Sequence, residues 1–122
     1  MPKPGTPLLP AALLALAGLL AGCGEDAAPP TPRNTATLVP ADPALAKIYD
    51  SSCKLCHANP ASGAPLVGDA KAWSPRVAQG ADSLLDHSIN GYKGMPPMGM
   101  CMQCSEDEFL ALISFMSGQP IQ

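Results

Sequence analysis

The sequence predicts an all-α domain of three to five helices joined by long loops. Three observations lead there. Where apolar residues are periodic, the period is helical, most clearly for Phe109, Leu112, Ile113 and Met116, which share one face at offsets of 3, 4 and 7. No segment alternates apolar and polar residues as a half-buried strand does. The intervening stretches are punctuated by glycine and proline, 11 and 15 of them in 122 residues, as loops are.

The length fits one small domain. Large side chains are scarce, with one Trp, two Phe and two Tyr. Such a chain can scarcely bury a sufficient core from its own residues, so something else should fill the centre. The formal charge is −3 and no basic patch argues for nucleic acid.

Residues 1–22 read as an export signal. Lys3 and the amino terminus supply positive charge, and Leu8 to Leu20 supply an apolar run too short to span a bilayer. The run ends in "LAGC", Leu20 to Cys23, which resembles the lipobox of bacterial lipoproteins. That resemblance implies cleavage before Cys23 and a lipid on its thiol, so that the mature chain is held to a membrane. The alternative is an ordinary cleaved signal with an incidental Cys23. Loss of residues 1–22 removes Lys3 and takes the formal charge to −4. Five cysteines in an exported chain imply an oxidising compartment. Residues 23–42, rich in Pro, Ala and Thr, read as a flexible linker with polyproline character.

The domain is expected over residues 43–120. Asp42 is an N-cap candidate with Pro43 at the first helical position, and Leu45, Ile48 and Tyr49 follow at helical spacing. "ANPASGAPLVGDAKAW" after His57 reads as a loop. In "SPRVAQ", Ser74 is the expected cap and Pro75 the first residue of a short helix. "GADSLLDHSING" predicts another helix, closed by Gly91. "GYKGMPPMGM" must be irregular, because two prolines and its glycines break any regular element. The final helix opens on a capping box, Ser105 with Glu108, and stops at Gly118 and Pro120. No internal repeat is evident beyond two Cys-x-x-C pairs.

The earlier pair carries the chemistry. "CKLCH", Cys53 to His57, has the Cys-x-x-C-H spacing of covalent haem attachment. On a helix, positions i and i+3 lie on nearly the same side. Cys53 and Cys56 can then reach the two vinyl groups on one porphyrin edge, and His57 is carried beneath the ring as an iron ligand. The porphyrin would supply the apolar bulk that the side chains lack. A thioredoxin-like redox pair would need a βαβ setting that is absent here. A zinc site of four thiolates and a plain structural disulfide are the other readings.

At these residues the chain resembles a family. "CKLCHANPASGAPLVGDAKAWSPRVAQGADSLL" followed by "NGYKGMPPMGMCMQCSEDEFLALISFM" is similar to bacterial class I cytochromes c, most closely the cytochrome c5 group. "MPP" closely followed by a second Cys-x-x-C is specific to that group. The resemblance covers about residues 44–118 and implies the class I cytochrome c fold around one covalent haem c, with the first and last helices crossing. It implies Met95, the methionine of "MPP", as the second axial iron ligand opposite His57. Pro96 and Pro97 stiffen the backbone after it, and Met98 and Met100 are its rivals. A methionine opposite histidine raises the reduction potential. The resemblance also implies a disulfide between Cys101 and Cys104, a Pro65 carbonyl facing His57, and an approach of Trp73 and Arg76 to the haem propionates. For the last two, a core indole and a solvated charge are the bland readings. His87 falls away from the stripe of Leu84, Leu85 and Ile89 and reads as surface. Lys71 and Lys93 could form a docking ring, although charge this sparse is usually solvation.

The expectation is a lipid-anchored carrier of single electrons between redox-protein donors and acceptors, on the periplasmic face of a bacterial membrane. No nucleophile–base pair, acid pair or phosphate loop suggests an enzyme. A sensor or peroxidase-like protein would follow if Met95 left the iron an open site. A structural metal module would follow if all four thiolates bound metal.

Overall fold

The computed structural model describes Met1 and residues 35–121. The expected signal, Cys23 and most of the linker lie outside the described residues. Among those described, five α-helices follow one another: α1 (Pro43–Ser51), α2 (Lys54–His57), α3 (Ala70–Val77), α4 (Ala81–Asn90) and α5 (Glu106–Ser117). Three 3-10 turns, Thr35–Thr37, Pro60–Ser62 and Pro97–Met100, lie between or before them. No strand is formed by the described residues, and none of their helices is long and apolar enough to cross a membrane.

Both long-range anchors of the fold start from capped helices. Asp42 Oδ1 accepts from the backbone N–H of Ala44 at 2.8 Å and of Leu45 at 2.9 Å, which starts α1. Ser105 and Glu108 close the reciprocal capping box of α5. The two helices then pack together, with the Tyr49 and Phe115 rings edge to face at 5.1 Å. Phe109, Leu112, Ile113 and Met116, the stripe read from the sequence, are all buried.

Two boundaries differ from the sequence reading. The third helix starts at Ala70, capped by the Asp69 carboxylate on the Ala72 N–H at 3.1 Å, and not at Ser74. Pro75 therefore sits inside the helix. Ser74–Pro75 carries the pattern of a helix start, but Asp69 is the cap used and Trp73 is already buried on the helix that it opens. The packed unit also begins before Pro43. Leu38 packs against the core and Pro40 is buried, so the last residues of the expected linker belong to the domain. An isolated apolar residue beside proline carries no periodicity from which this could be read.

The loop between α2 and α3 is pinned at both ends. Val67 N–H donates to the His57 carbonyl at 2.8 Å, and Gly68 N–H donates to the Met116 carbonyl at 2.7 Å. Val67 is buried between them. Residues 58–66 are thereby held over α2, which positions Pro65.

Candidate functional site

Cys53 to His57 make one helical turn. His57 N–H donates to the Cys53 carbonyl at 2.9 Å, and Ala58 N–H donates to that of Lys54 at 3.1 Å. The turn carries both thiols and the imidazole to one cavity of about 440 Å³, within the range of cofactor clefts. Cys53 is half-buried and Cys56 exposed, and both are free thiols. Burial pushes the Cys53 thiol up, opposed by its hydrogen bond with Ser52.

His57 is held in one tautomer. Its Nδ1 lies 2.7 Å from the Pro65 carbonyl oxygen. A carbonyl can only accept, so Nδ1 carries the proton and Nε2 keeps its lone pair free. The ring is buried, and burial pulls its pKa down. The Pro65 bond opposes that and the Arg76 charge adds to it. A neutral imidazole with a free Nε2 is what a metal requires of histidine.

Trp73 stacks on His57 with ring centroids 5.6 Å apart and 27° between planes. Its indole N–H donates to the Leu66 carbonyl at 2.8 Å, so the core-indole reading describes it better than a donor to propionate. Arg76 shares the cavity wall, with Nη1 given to the Ala72 carbonyl.

The far wall comes from the segment between α4 and α5. Tyr92 and Met95 exchange backbone hydrogen bonds of 3.0 and 2.9 Å, closing a tight loop. Gly91 ends α4 at φ +85°, and a β-carbon there would stand 3.0 Å from both the Met95 carbonyl oxygen and the Pro97 nitrogen. Only glycine lets α4 finish against this loop. Of the three candidate methionines, Met95 and Met100 line the cavity. Met98 instead packs against the core, and Met100 is 59 % exposed. Of these three, Met95 is the one that both lines the cavity and is half-buried.

Cys101 and Cys104 form a close, buried pair with Cα atoms 5.4 Å apart, a span that a disulfide bridges. They stand where the methionine loop meets the start of α5. His87 departs from its surface reading: it is half-buried at the cavity rim, stacked on Tyr92 at 3.8 Å. The helical wheel placed it away from the apolar stripe correctly. The returning loop, invisible to a wheel, then covered it. Lys93 Nζ lies 5.2 Å from the centre of the Tyr92 ring, which adds a cation–π contact to this rim. Lys71 is exposed and away from the cavity lining.

The residues fit a covalent haem. Two free thiols at the i, i+3 spacing, a neutral histidine with one nitrogen free and a sheltered thioether converge on one mostly apolar cavity. Among the described residues, no group of three or more His, Cys, Asp or Glu could hold a metal ion, which speaks against the four-thiolate module.

Comparison with known proteins agrees. Residues 40–116 match the family model described as cytochrome C oxidase, cbb3-type, subunit III. The chain is 46% identical to cytochrome c5 of Azotobacter vinelandii over 68 residues, 54% of this chain and 82% of that protein. It is 43% identical to cytochrome c-555 of Chlorobaculum tepidum over 75 residues, 58% of this chain and 69% of that protein. Among solved structures it resembles a mono-heme ferrocytochrome c from Shewanella putrefaciens, with TM-score 0.56 and 36% identity, covering 64% of this chain and 94% of that one. It also resembles a chain in the electron transfer complex of nitrite reductase with cytochrome c, with TM-score 0.55 and 42% identity, covering 63% and 94%.

Proposed function

This chain belongs to the class I c-type cytochromes, near cytochrome c5, and from that premise we propose that it is a lipid-anchored carrier of single electrons on the periplasmic face of a bacterial membrane. It is an electron-transfer protein with one covalent haem c and not an enzyme, as its relatives are. The lipid anchor and the location rest on the "LAGC" ending of the apolar run at Cys23.

The observation that carries the electron-transfer reading is the convergence of Cys53, Cys56, His57 and Met95 on one cavity. A covalently held haem supplies an iron that accepts and releases one electron. Cys53 and Cys56 would hold its edge through thioether bonds. His57 Nε2 and the Met95 sulfur would bind its iron. The Pro65 carbonyl keeps His57 in the tautomer that leaves Nε2 free. Trp73 limits tilting of the imidazole by stacking on it. Phe109, Leu112 and Ile113 form an apolar wall that excludes water. Arg76 keeps further N–H groups beside the one given to Ala72 and is the better placed of the two expected residues to meet a propionate. Cys101 and Cys104 would form a disulfide that ties the methionine loop to α5. Redox-protein donors and acceptors follow from the function. A structural neighbour in complex with nitrite reductase makes a reductase of that class one candidate acceptor.

A pyridine haemochrome assay on the mature protein should give one haem per chain that resists acid–acetone extraction. Intact mass should show haem, lipid and the loss of two hydrogens for the disulfide. A colourless but stably folded protein would refute the carrier. A mass lacking the lipid would refute the anchor alone.

A further inference from the structure

Met95 is followed by an unusual backbone. Met98, Gly99 and Met100 are all left-handed, at φ +59°, +52° and +65°. The turn is held by Gly99 N–H on the Pro96 carbonyl at 3.0 Å and Cys101 N–H on the Met98 carbonyl at 2.8 Å. Two methionines tolerate this conformation here, so positive φ alone does not explain the glycine between them. What distinguishes Gly99 is its neighbour. A β-carbon on Gly99 would stand 2.9 Å from Cε of Met95, well inside the ~3.5–4 Å at which carbons pack. The Met95 methyl lies where a side chain at position 99 would be.

We propose that Gly99 is a positioning residue for Met95: its bare backbone receives the thioether methyl and so sets which way the sulfur lone pairs point within the cavity. The inference rests on Met95 being the axial ligand. A methionine side chain has three rotatable bonds and adapts to irregular space. Adding a β-carbon at 99 would therefore displace the methyl more readily than it would unfold the loop. The effect should appear at the ligand and not chiefly in stability. Met95 lies four residues back along the loop, and both residues line the cavity. The contact is thus local and does not depend on the packing of distant helices.

The test separates the contact from the backbone angle. Asparagine tolerates the left-handed region but carries a β-carbon. Gly118, at φ +68° with open space around its β-position, supplies the angle without the contact. Wild-type holoprotein, Gly99→Ala, Gly99→Asn and Gly118→Ala would be compared by the near-infrared band of methionine-bound ferric haem, the NMR shifts of the haem methyls and thermal melting. The wild type should show the band. Both Gly99 variants should lose or shift it and reorder the haem methyl resonances, with Gly99→Asn melting closer to wild type than Gly99→Ala. Gly118→Ala should keep the band and resonance order unchanged despite a lower melting temperature. A folded Gly99→Asn protein with an unaltered band and resonance order would overturn the inference while leaving Met95 as ligand. Absence of the band in the wild type would overturn both.

Discussion

The imidazole of His57 is prepared by its own chain: Pro65 takes one nitrogen, Trp73 covers a face and burial keeps the ring neutral. Met95 is prepared differently, by a loop that shelters it while leaving Met100 largely in solvent. Met95→Ala should abolish the near-infrared band and lower the reduction potential, read by potentiometric titration, because a thioether opposite histidine favours the ferrous state. Retention of the band would move the ligand to another methionine. Tyr49 offers a separate test. Its hydroxyl is fully buried and has no hydrogen-bond partner among the described residues. Such a group destabilises by roughly 1–3 kcal/mol, so Tyr49→Phe should melt no lower than wild type at neutral pH. Burial pushes the phenol above its ordinary value, and the nearby Asp50 charge adds to the rise, whereas Cys53 in a thioether bond would carry no charge. The folded chain then keeps a proton that the unfolded chain releases. That contribution is full below about pH 10 and is lost as pH rises through the raised value. Wild type should therefore lose stability above about pH 10 more steeply than Tyr49→Phe, by melting temperature against pH.

At the scale of elements, ends matter more than middles. The Ser105–Glu108 capping box starts the helix that walls the cavity. Ser105→Ala should lower stability by about 1 kcal/mol, or about 4–8 °C in a domain of this size, with little change at the haem. Gly91→Ala should lower stability and also reach the haem. A β-carbon there meets rigid backbone on both Met95 and Pro97, so the loop must move, and the methionine signal should weaken along with the melting temperature. A disulfide between the close pair Cys101 and Cys104 would enclose a short loop, for which chain entropy gives roughly 2 kcal/mol. Replacing both with alanine should lower the denaturant midpoint accordingly. These ends were legible where a side chain announces them: Asp42 with Pro43, Ser105 with Glu108, and Gly118 all stand at the boundaries read from the sequence. Asp69 is hidden in the sequence because Ser74–Pro75 imitates a helix start five residues after the real cap.

For the molecule as a whole, the cavity takes the place of the missing aromatic core. The helices meet around about 440 Å³ that the side chains do not fill. A Cys53→Ser/Cys56→Ser protein, unable to hold the haem covalently, should lose near-ultraviolet circular dichroism and cooperative melting while keeping part of its helical signal. Sharp melting without haem would show that the polypeptide suffices. Class, cofactor and approximate helix positions were available in advance. They depend on short-range features, namely one five-residue motif, a stripe of period 3.6 and two capping patterns.

What the sequence alone determined was the all-α class, the two thiols and histidine that define a haem site, and the short set of methionines from which its partner must come. Each follows from chemistry within a few consecutive residues. The tertiary structure decided which of the three loop methionines is half-buried at the cavity, that His87 is roofed by Tyr92, that Leu38 and Pro40 belong to the packed unit, and that the Gly99 backbone abuts the Met95 methyl. These depend on how loops return over helices. That return is set by close packing between residues distant in the chain and by backbone angles that no local pattern of side chains encodes.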